Sequence, residues 1–202
     1  MASRVAHWDK QAPSYDRRTS ALERRIMAAS RGWVGRRARG ATLEIAVGTG
    51  ANFSYYPPEV TLTGVDFSPA MLQLAGRRAA DLDRAVPLHQ ADAAALPFAD
   101  ASFDSVVCTF AMCCVPDEKA ALFEAIRVLR PGGDLLLADH VVASSVPIRV
   151  VQQLVELVTV PLHGEHFTRR PLTVLRGFEV QILDAERLTM GAIERVQARK
   201  PA

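Results

Sequence analysis

From residue 42 to residue 142 the sequence alternates short β-branched runs with amphipathic helical ones, and this alternation constrains the fold more than any other feature. Thr42 to Val47, Thr61 to Asp66, Val86 to Ala91, Ser105 to Phe110 and Leu135 to Val142 read as strands. Ser68-Pro69 opens a helix running to about Leu82, with Ser as N-cap and Pro where a missing N–H costs nothing. Asp117 caps a second helix through Leu129, closed by the turn Arg130-Pro131-Gly132-Gly133. An amphipathic segment at 147–160, a polar loop at 163–171 and a short helix near 172–176 follow. Strands alternating with helices predict a mostly parallel sheet covered on both faces. Phe178 to Asp184 and Thr189 to Val196 are separated only by a turn, too short for a parallel crossover, so they pair antiparallel. The expected fold is α/β: a doubly wound, mostly parallel seven-stranded sheet ending in an antiparallel hairpin.

Ahead of the sheet lies a basic head. Residues 1–40 hold ten Lys or Arg and three acidic residues, a net of +7, whereas residues 41–202 carry −5. Residues 14–40 read as a helix with a capping box at Ser20–Glu23, an apolar stripe of Leu22, Ile26, Ala29 and Trp33, and a stop at Gly40. The stripe is expected to pack inward and the Arg-rich face to be solvated. The chain divides into a basic N-terminal helical lid, 1–40, and an α/β domain, 41–202. Met1 to Lys10 lacks the apolar core of a secretory signal. The most apolar segment, Val146 to Leu162, is interrupted by Arg149, Gln152, Gln153 and Glu156, so no transmembrane span is expected. Cys108, Cys113 and Cys114 form neither a disulfide framework nor paired metal knuckles, and a cytoplasmic location follows.

In open α/β sheets ligands sit at the carboxyl ends of the strands, where strand order reverses. Glu44-Ile-Ala-Val-Gly48-Thr49-Gly50 follows the first strand, and its glycines let a ligand approach the backbone. Asp66 ends the second strand, placed to accept from two ribose hydroxyls. Asp92 ends the third, placed to accept from an adenine amine, and Thr109 and Phe110 end the fourth. The bland alternative is that the glycines make a tight turn and the aspartates cap loops. A dinucleotide oxidoreductase needs Gly-x-Gly-x-x-Gly, but the third position is Phe53, and Pro57-Pro58 cuts short the helix that a pyrophosphate requires.

Glu44 to Gly50, Gly64-Val-Asp-Phe-Ser-Pro-Ala-Met-Leu72, Asp92-Ala-Ala-Ala-Leu-Pro-Phe98, Phe103-Asp-Ser-Val106 and Arg127-Val-Leu-Arg-Pro-Gly-Gly133 resemble, in order and spacing, the class I S-adenosylmethionine-dependent methyltransferases. The resemblance is nearest to the branch with ubiquinone/menaquinone and phospholipid methyltransferases. It implies a Rossmann-like methyltransferase fold, S-adenosyl-L-methionine as cofactor and S-adenosyl-L-homocysteine as product. It further implies that Glu44, Gly48 and Gly50 surround the methionine part, with Ala46, Thr49 and Asn52 also in the cofactor site. Asp66 would hold the ribose, Phe67 and Met71 flank the adenine, and Asp92 with the Ala93 backbone read its edge. Tyr15, in a segment resembling the family's entry segment, would close over the cofactor. Ala46 stands where the family usually has its first glycine, a change accommodated when the backbone there is not left-handed.

Methyl transfer from a sulfonium loses charge, so alignment and exclusion of water are the main tasks, and a base is needed only for an acceptor that carries a proton. His140, after the fifth strand, is the candidate base, against the alternative of a hydrogen-bonded structural histidine. His163, Glu165 and His166 would make a metal site only if a group such as His140 joined them, and no metal is expected. Cys113 and Cys114 read as small buried side chains rather than nucleophiles. The expected function is methyl transfer to a small or lipophilic acceptor. A cofactor-binding scaffold and an RNA-directed enzyme using the basic helix are the alternatives. With few aromatics in the head, no nucleic-acid partner is expected. Peripheral membrane contact through the head and the 147–160 segment fits the composition, and oligomeric state is left open.

Overall fold

Strands β1 (Ala41–Ile45), β2 (Thr61–Asp66), β3 (Leu88–Gln90), β4 (Phe103–Thr109), β5 (Leu129–His140), β6 (Gln181–Leu188) and β7 (Ile193–Arg199) form one sheet in the order β3-β2-β1-β4-β5-β7-β6. The computed structural model describes residues 2–202, with the side chains of Ala2, Ser3 and His163 outside the described residues. β1 pairs in parallel with β2 on one side and β4 on the other, so strand order reverses between them. β7 runs antiparallel between β5 and β6, as the short connection requires.

The interior strands are buried on both faces, which is why they read as continuous apolar runs. Leu135 and Leu137 of β5 join Leu43, Ile45, Val106 and Cys108 on one face, packed by Leu122, Ala125 and Val128 of α4 (Glu118–Val128). Leu136 and Ala138 point the other way, toward Trp33 and Val34 of α2 (Ala28–Gly35) and Ala75 and Ala79 of α3 (Pro69–Asp81). The predicted caps form: Ser68 Oγ accepts from Met71 N–H (3.2 Å) and Asp117 from Ala120 N–H (2.9 Å).

The N-terminal helix differs from expectation. α1 spans Ala2–Leu22, starting twelve residues before the predicted 14 and passing through Pro13. Asp9 accepts from the Ser68 hydroxyl (2.5 Å) and Ala70 N–H (3.2 Å) at the start of α3, and this docking outweighs local propensity. Ser20 caps nothing; its hydroxyl donates to the Arg17 carbonyl (3.0 Å). Glu23–Met27 forms a π turn, which shifts the buried face of the following helix. Leu22 and Ala29 of the expected stripe are therefore exposed, while Met27, Ser30, Arg31, Trp33 and Val34 turn inward.

The strand ends also move. β5 begins at Leu129, directly after α4, and bulges through 130–133 with Gly132 at φ +74° before pairing resumes at Asp134. The C-terminal strands begin later than predicted because Phe178 closes the turn after α6 (Pro171–Leu175). The hairpin turns on Thr189-Met190-Gly191, all at positive φ. The remaining helix, α5, spans Val146–His163.

Candidate active site

At the exits of β1 and β4 the chain must leave the sheet abruptly, and it does so through two strained residues. Ala46 has φ +55° and Phe110 φ +53°. Ala46 is thus left-handed, contrary to the condition under which the sequence would tolerate a methyl group there. Two residues on, Gly48 also has φ +55°, and a Cβ built on it meets nothing within 4 Å, so its backbone faces open space. Its N–H donates to Asp66 Oδ2 (2.8 Å), and Ser68 N–H donates to Asp66 Oδ1 (2.9 Å). Burial raises the Asp66 carboxyl above its usual range against the pull of these N–H groups.

These strand exits floor a cavity of about 440 Å³. Of the predicted site residues, Tyr15, Ala46, Gly48, Thr49, Asp66, Phe67, Met71, Asp92, Ala93, Thr109 and Phe110 line it. Glu44, Gly50, Asn52 and His140 do not. Gly50, at φ +76°, turns the chain tightly against the Phe53 ring, which a Cβ would approach to 2.6 Å. Asp92 also works as a loop cap, accepting from Ala94 N–H (3.0 Å).

Glu44 and Asn52 belong to a buried network behind the cavity floor. Glu44 accepts from Asn52 Nδ2 (2.9 Å) and the Tyr56 hydroxyl (2.8 Å). Burial pushes the Glu44 carboxyl up to about 7, with Tyr56, Arg31 and Asn52 pulling it back. Arg31 donates to Asn52 Oδ1 (2.9 Å), Thr109 Oγ1 (2.8 Å) and Glu23 (2.9 Å), and its guanidinium lies 5.3 Å from the centre of the Phe110 ring. The expectation of a solvated arginine face holds for Arg17, Arg18, Arg24 and Arg25 but fails here, because the π turn rotates Arg31 into the protein. No periodicity in the sequence marks it.

α1 forms the wall opposite the strand exits. Arg4, Trp8 and Tyr15 line the cavity, and the Trp8 and Tyr15 rings meet edge to face at 6.1 Å. Burial pushes the Tyr15 hydroxyl up to about 12, with the Arg31 charge opposing. Asp16 accepts from Thr49 Oγ1 (2.7 Å) and pairs with Arg78, fastening α1 to the glycine loop and to α3. Tyr15 was an expected site residue; Arg4 and Trp8, which line the cavity with it, were not.

A second cavity, of about 450 Å³, adjoins the first and shares Trp8, Tyr15, Phe110 and Cys114 with it. His140 lies on this second cavity, stacked on Phe167 at 4.8 Å. Its Nδ1 is 3.4 Å from Asp139 Oδ1, and its Nε2 is buried with no hydrogen-bond partner. Asp139 is fixed by the N–H groups of Met112 (2.7 Å), His140 (2.8 Å) and Ala111 (3.1 Å). Cys113, Asp139 and His140 bring ligand-type atoms within 4.8 Å of one another. Of the polar loop, Glu165 reaches Cys114 Sγ (3.8 Å) and His166 donates its N–H to the Cys113 carbonyl (2.9 Å), while the His163 side chain lies outside the described residues. Burial raises the Cys113 thiol well above its usual range, which suits a packing role better than a nucleophilic one.

The family described as "Methyltransferase domain" matches residues 43–137, the segment that holds β1, the glycine loop, Asp66, Asp92 and β4. Residues 43–137 thus match a methyltransferase domain. The chain is 35% identical over 116 residues to phosphatidylethanolamine N-methyltransferase of Cereibacter sphaeroides, covering 56% of this chain and 57% of the relative. A demethylmenaquinone methyltransferase of Renibacterium salmoninarum is 36% identical over 155 residues, covering 73% and 62%. A human thiol S-methyltransferase is 36% identical over 134 residues, covering 64% and 54%. The chain thus spans little more than half the length of these curated relatives. Among solved structures, the YcgJ protein of Bacillus subtilis superposes with a TM-score of 0.70 at 21% identity, covering 87% of this chain and 99% of that one. A SAM-dependent methyltransferase of Methanosarcina mazei gives 0.65 at 21% identity, covering 80% and 92%. Both share the fold. The donor set fits the S-adenosylmethionine expected from the sequence: a carboxylate at a strand end, open backbone at Gly48 and a largely apolar slot beside Phe67 and Met71. No helix among the described residues is long and apolar enough to cross a membrane.

Proposed function

We propose that the protein transfers the methyl group of S-adenosylmethionine to a small, lipophilic acceptor, with the first cavity holding the cofactor and the second the acceptor. The common wall of Trp8, Tyr15, Phe110 and Cys114 carries this reading, because it sets two ligands side by side. Asp66 accepts from the ribose hydroxyls, Phe67 and Met71 flank the adenine, and Asp92 with Ala93 N–H reads its edge. Gly48 and Thr49 face the methionine part. Glu44, Gly50 and Asn52 act from behind, holding the loop in shape.

When bound, the cofactor supplies an electrophilic methyl group whose in-line transfer removes a charge instead of creating one. The chain's task is then to align the acceptor and keep water out. α1, anchored by Asp9 and Asp16, closes both cavities from above as a lid. His140 takes the proton of an acceptor such as a thiol or a phenol on Nε2, with the Asp139 carboxylate 3.4 Å from Nδ1 to favour the charged ring. The acceptors named for the relatives, a phospholipid amine, a quinone precursor and thiols, support a lipophilic class.

Transfer of label from methyl-labelled cofactor to a panel of alkyl thiols, quinols and phospholipid amines tests this reading. A labelled product is expected, together with a loss of about 10²–10⁴-fold in kcat for His140→Ala at unchanged cofactor affinity. Absence of any labelled product counts against the enzyme reading, and unchanged turnover in His140→Ala removes the base.

A further inference from the structure

α5 is built inside out. Three of its polar side chains point into the protein, while Arg149 and Gln153 are exposed: Gln152 accepts from Ala143 N–H (2.8 Å) and donates to the Val141 carbonyl (2.8 Å), Glu156 accepts from the Thr168 N–H (2.7 Å), and the Thr159 hydroxyl donates to the Glu165 carbonyl (3.0 Å). The outward face carries Val150, Val151, Leu154, Leu157, Val158 and Leu162, all exposed, with Leu157 at 73% and Leu162 at 63%. At 100° per residue these six span an arc of roughly 140°, opposite the polar stripe. A helix of 18 residues is about 27 Å long, so the patch is extended as well as broad. Water is a poor medium for such a face, whose size exceeds what scattered exposed apolar residues explain.

Cationic side chains flank α5 at its C-terminal end and across the second cavity. The Arg4 guanidinium lies against Gly164, where α5 ends, and donates to the Cys114 carbonyl (3.3 Å). Arg18 of α1 and Gln152 of α5 line the same second cavity. Arg17, Arg24 and Arg25 are exposed further along the same N-terminal helical segment. Glu156, the one acidic side chain on α5, is turned inward. We infer that α5 docks its apolar face into the interface of an anionic lipid bilayer, with the arginines of α1 meeting the headgroups. Pairing with a second copy through the same face would set two cationic flanks against each other, whereas an anionic bilayer matches the apolar face and the charge together. Such docking also brings the second cavity, between α1 and α5, to the phase that holds a lipophilic acceptor. That last link rests on the proposed acceptor site; the docking itself does not.

The test is sedimentation of the chain with unilamellar vesicles of phosphatidylcholine alone or with about one quarter phosphatidylglycerol, with neither cofactor nor acceptor present. Partition into the anionic vesicles is expected, at least tenfold weaker into neutral ones and weakened by raised salt. The triple variant Leu154→Gln, Leu157→Gln, Val158→Gln keeps charge and helix propensity, and is expected to bind anionic vesicles at least tenfold more weakly with its circular dichroism unchanged. Background binding by the wild type, or equal binding by the triple variant, overturns the docking. Light scattering that shows a dimer abolished by the triple variant overturns it in favour of a second copy. Failure of either kind leaves the methyl-transfer reading standing, since no turnover is read.

Discussion

Replacing Ala46 by Gly removes a methyl group from a backbone held at φ +55°. An L-residue in that conformation costs about 1–2 kcal/mol. Glycine gives back about 0.5–1 kcal/mol through the extra freedom of the unfolded chain. The net expectation is a more stable protein by about 0.5–1 kcal/mol, which in a chain of this length raises Tm by about 1–4 °C. Gly48→Ala is the mirror experiment, since the backbone there has the same sign of φ but no neighbour within 4 Å of the added methyl. It is expected to destabilise by about 1 kcal/mol and to weaken cofactor binding, because the methyl projects into the proposed cofactor space. Urea unfolding, followed by circular dichroism at constant m-value, measures both. Loss of 0.5 kcal/mol or more in Ala46→Gly would refute the reasoning, because packing of that methyl would then outweigh backbone strain.

Two further outcomes follow from the buried network. Burial raises Glu44 from its ordinary 4.5 to about 7, so its contribution to stability is full below the ordinary value and is lost as pH rises through about 7. The shift corresponds to about 3 kcal/mol, and Glu44→Gln is expected to flatten the fall in stability between pH 5 and pH 8 by about that amount in urea titrations. An unchanged pH profile would show that Glu44 stays ionised throughout. Arg31→Met is expected to cost about 3–5 kcal/mol, because it leaves Asn52 Oδ1 without its donor and releases Glu23. Limited proteolysis should then cut within residues 1–35 sooner than in the wild type, and equal rates would mean that Arg31 does not anchor the helix.

The sheet was legible in the sequence because its strands and helices repeat a strong pattern, and the aspartates stand where strand ends make carboxylates useful. Ser68 and Asp117 cap as their local chemistry dictates. The N-terminal helix was legible only in part. Its stripe assumed an unbroken period of 3.6, and the π turn at Glu23–Met27 shifts that period, exposing Leu22 and burying Arg31. The C-terminal hairpin was correct in direction but misplaced along the chain, since Thr189 and Met190 adopt positive φ without being the Gly, Asn or Asp that usually mark such a turn. Glu44 and Asn52 look like ligand groups in sequence because they flank the glycine loop, yet burial assigns them to its support. The shared wall of the two cavities brings together residues 8, 15, 110 and 114, a juxtaposition that only the fold creates.

Titration calorimetry with S-adenosylhomocysteine tests the assignment of the first cavity most directly. The wild type is expected to bind one equivalent, and Asp66→Asn, with its fold retained by circular dichroism, at least tenfold more weakly, as loss of charged hydrogen bonds to the ribose requires. No binding by the wild type, or equal affinity in Asp66→Asn, contradicts the placement of the cofactor at the ends of β1 and β2.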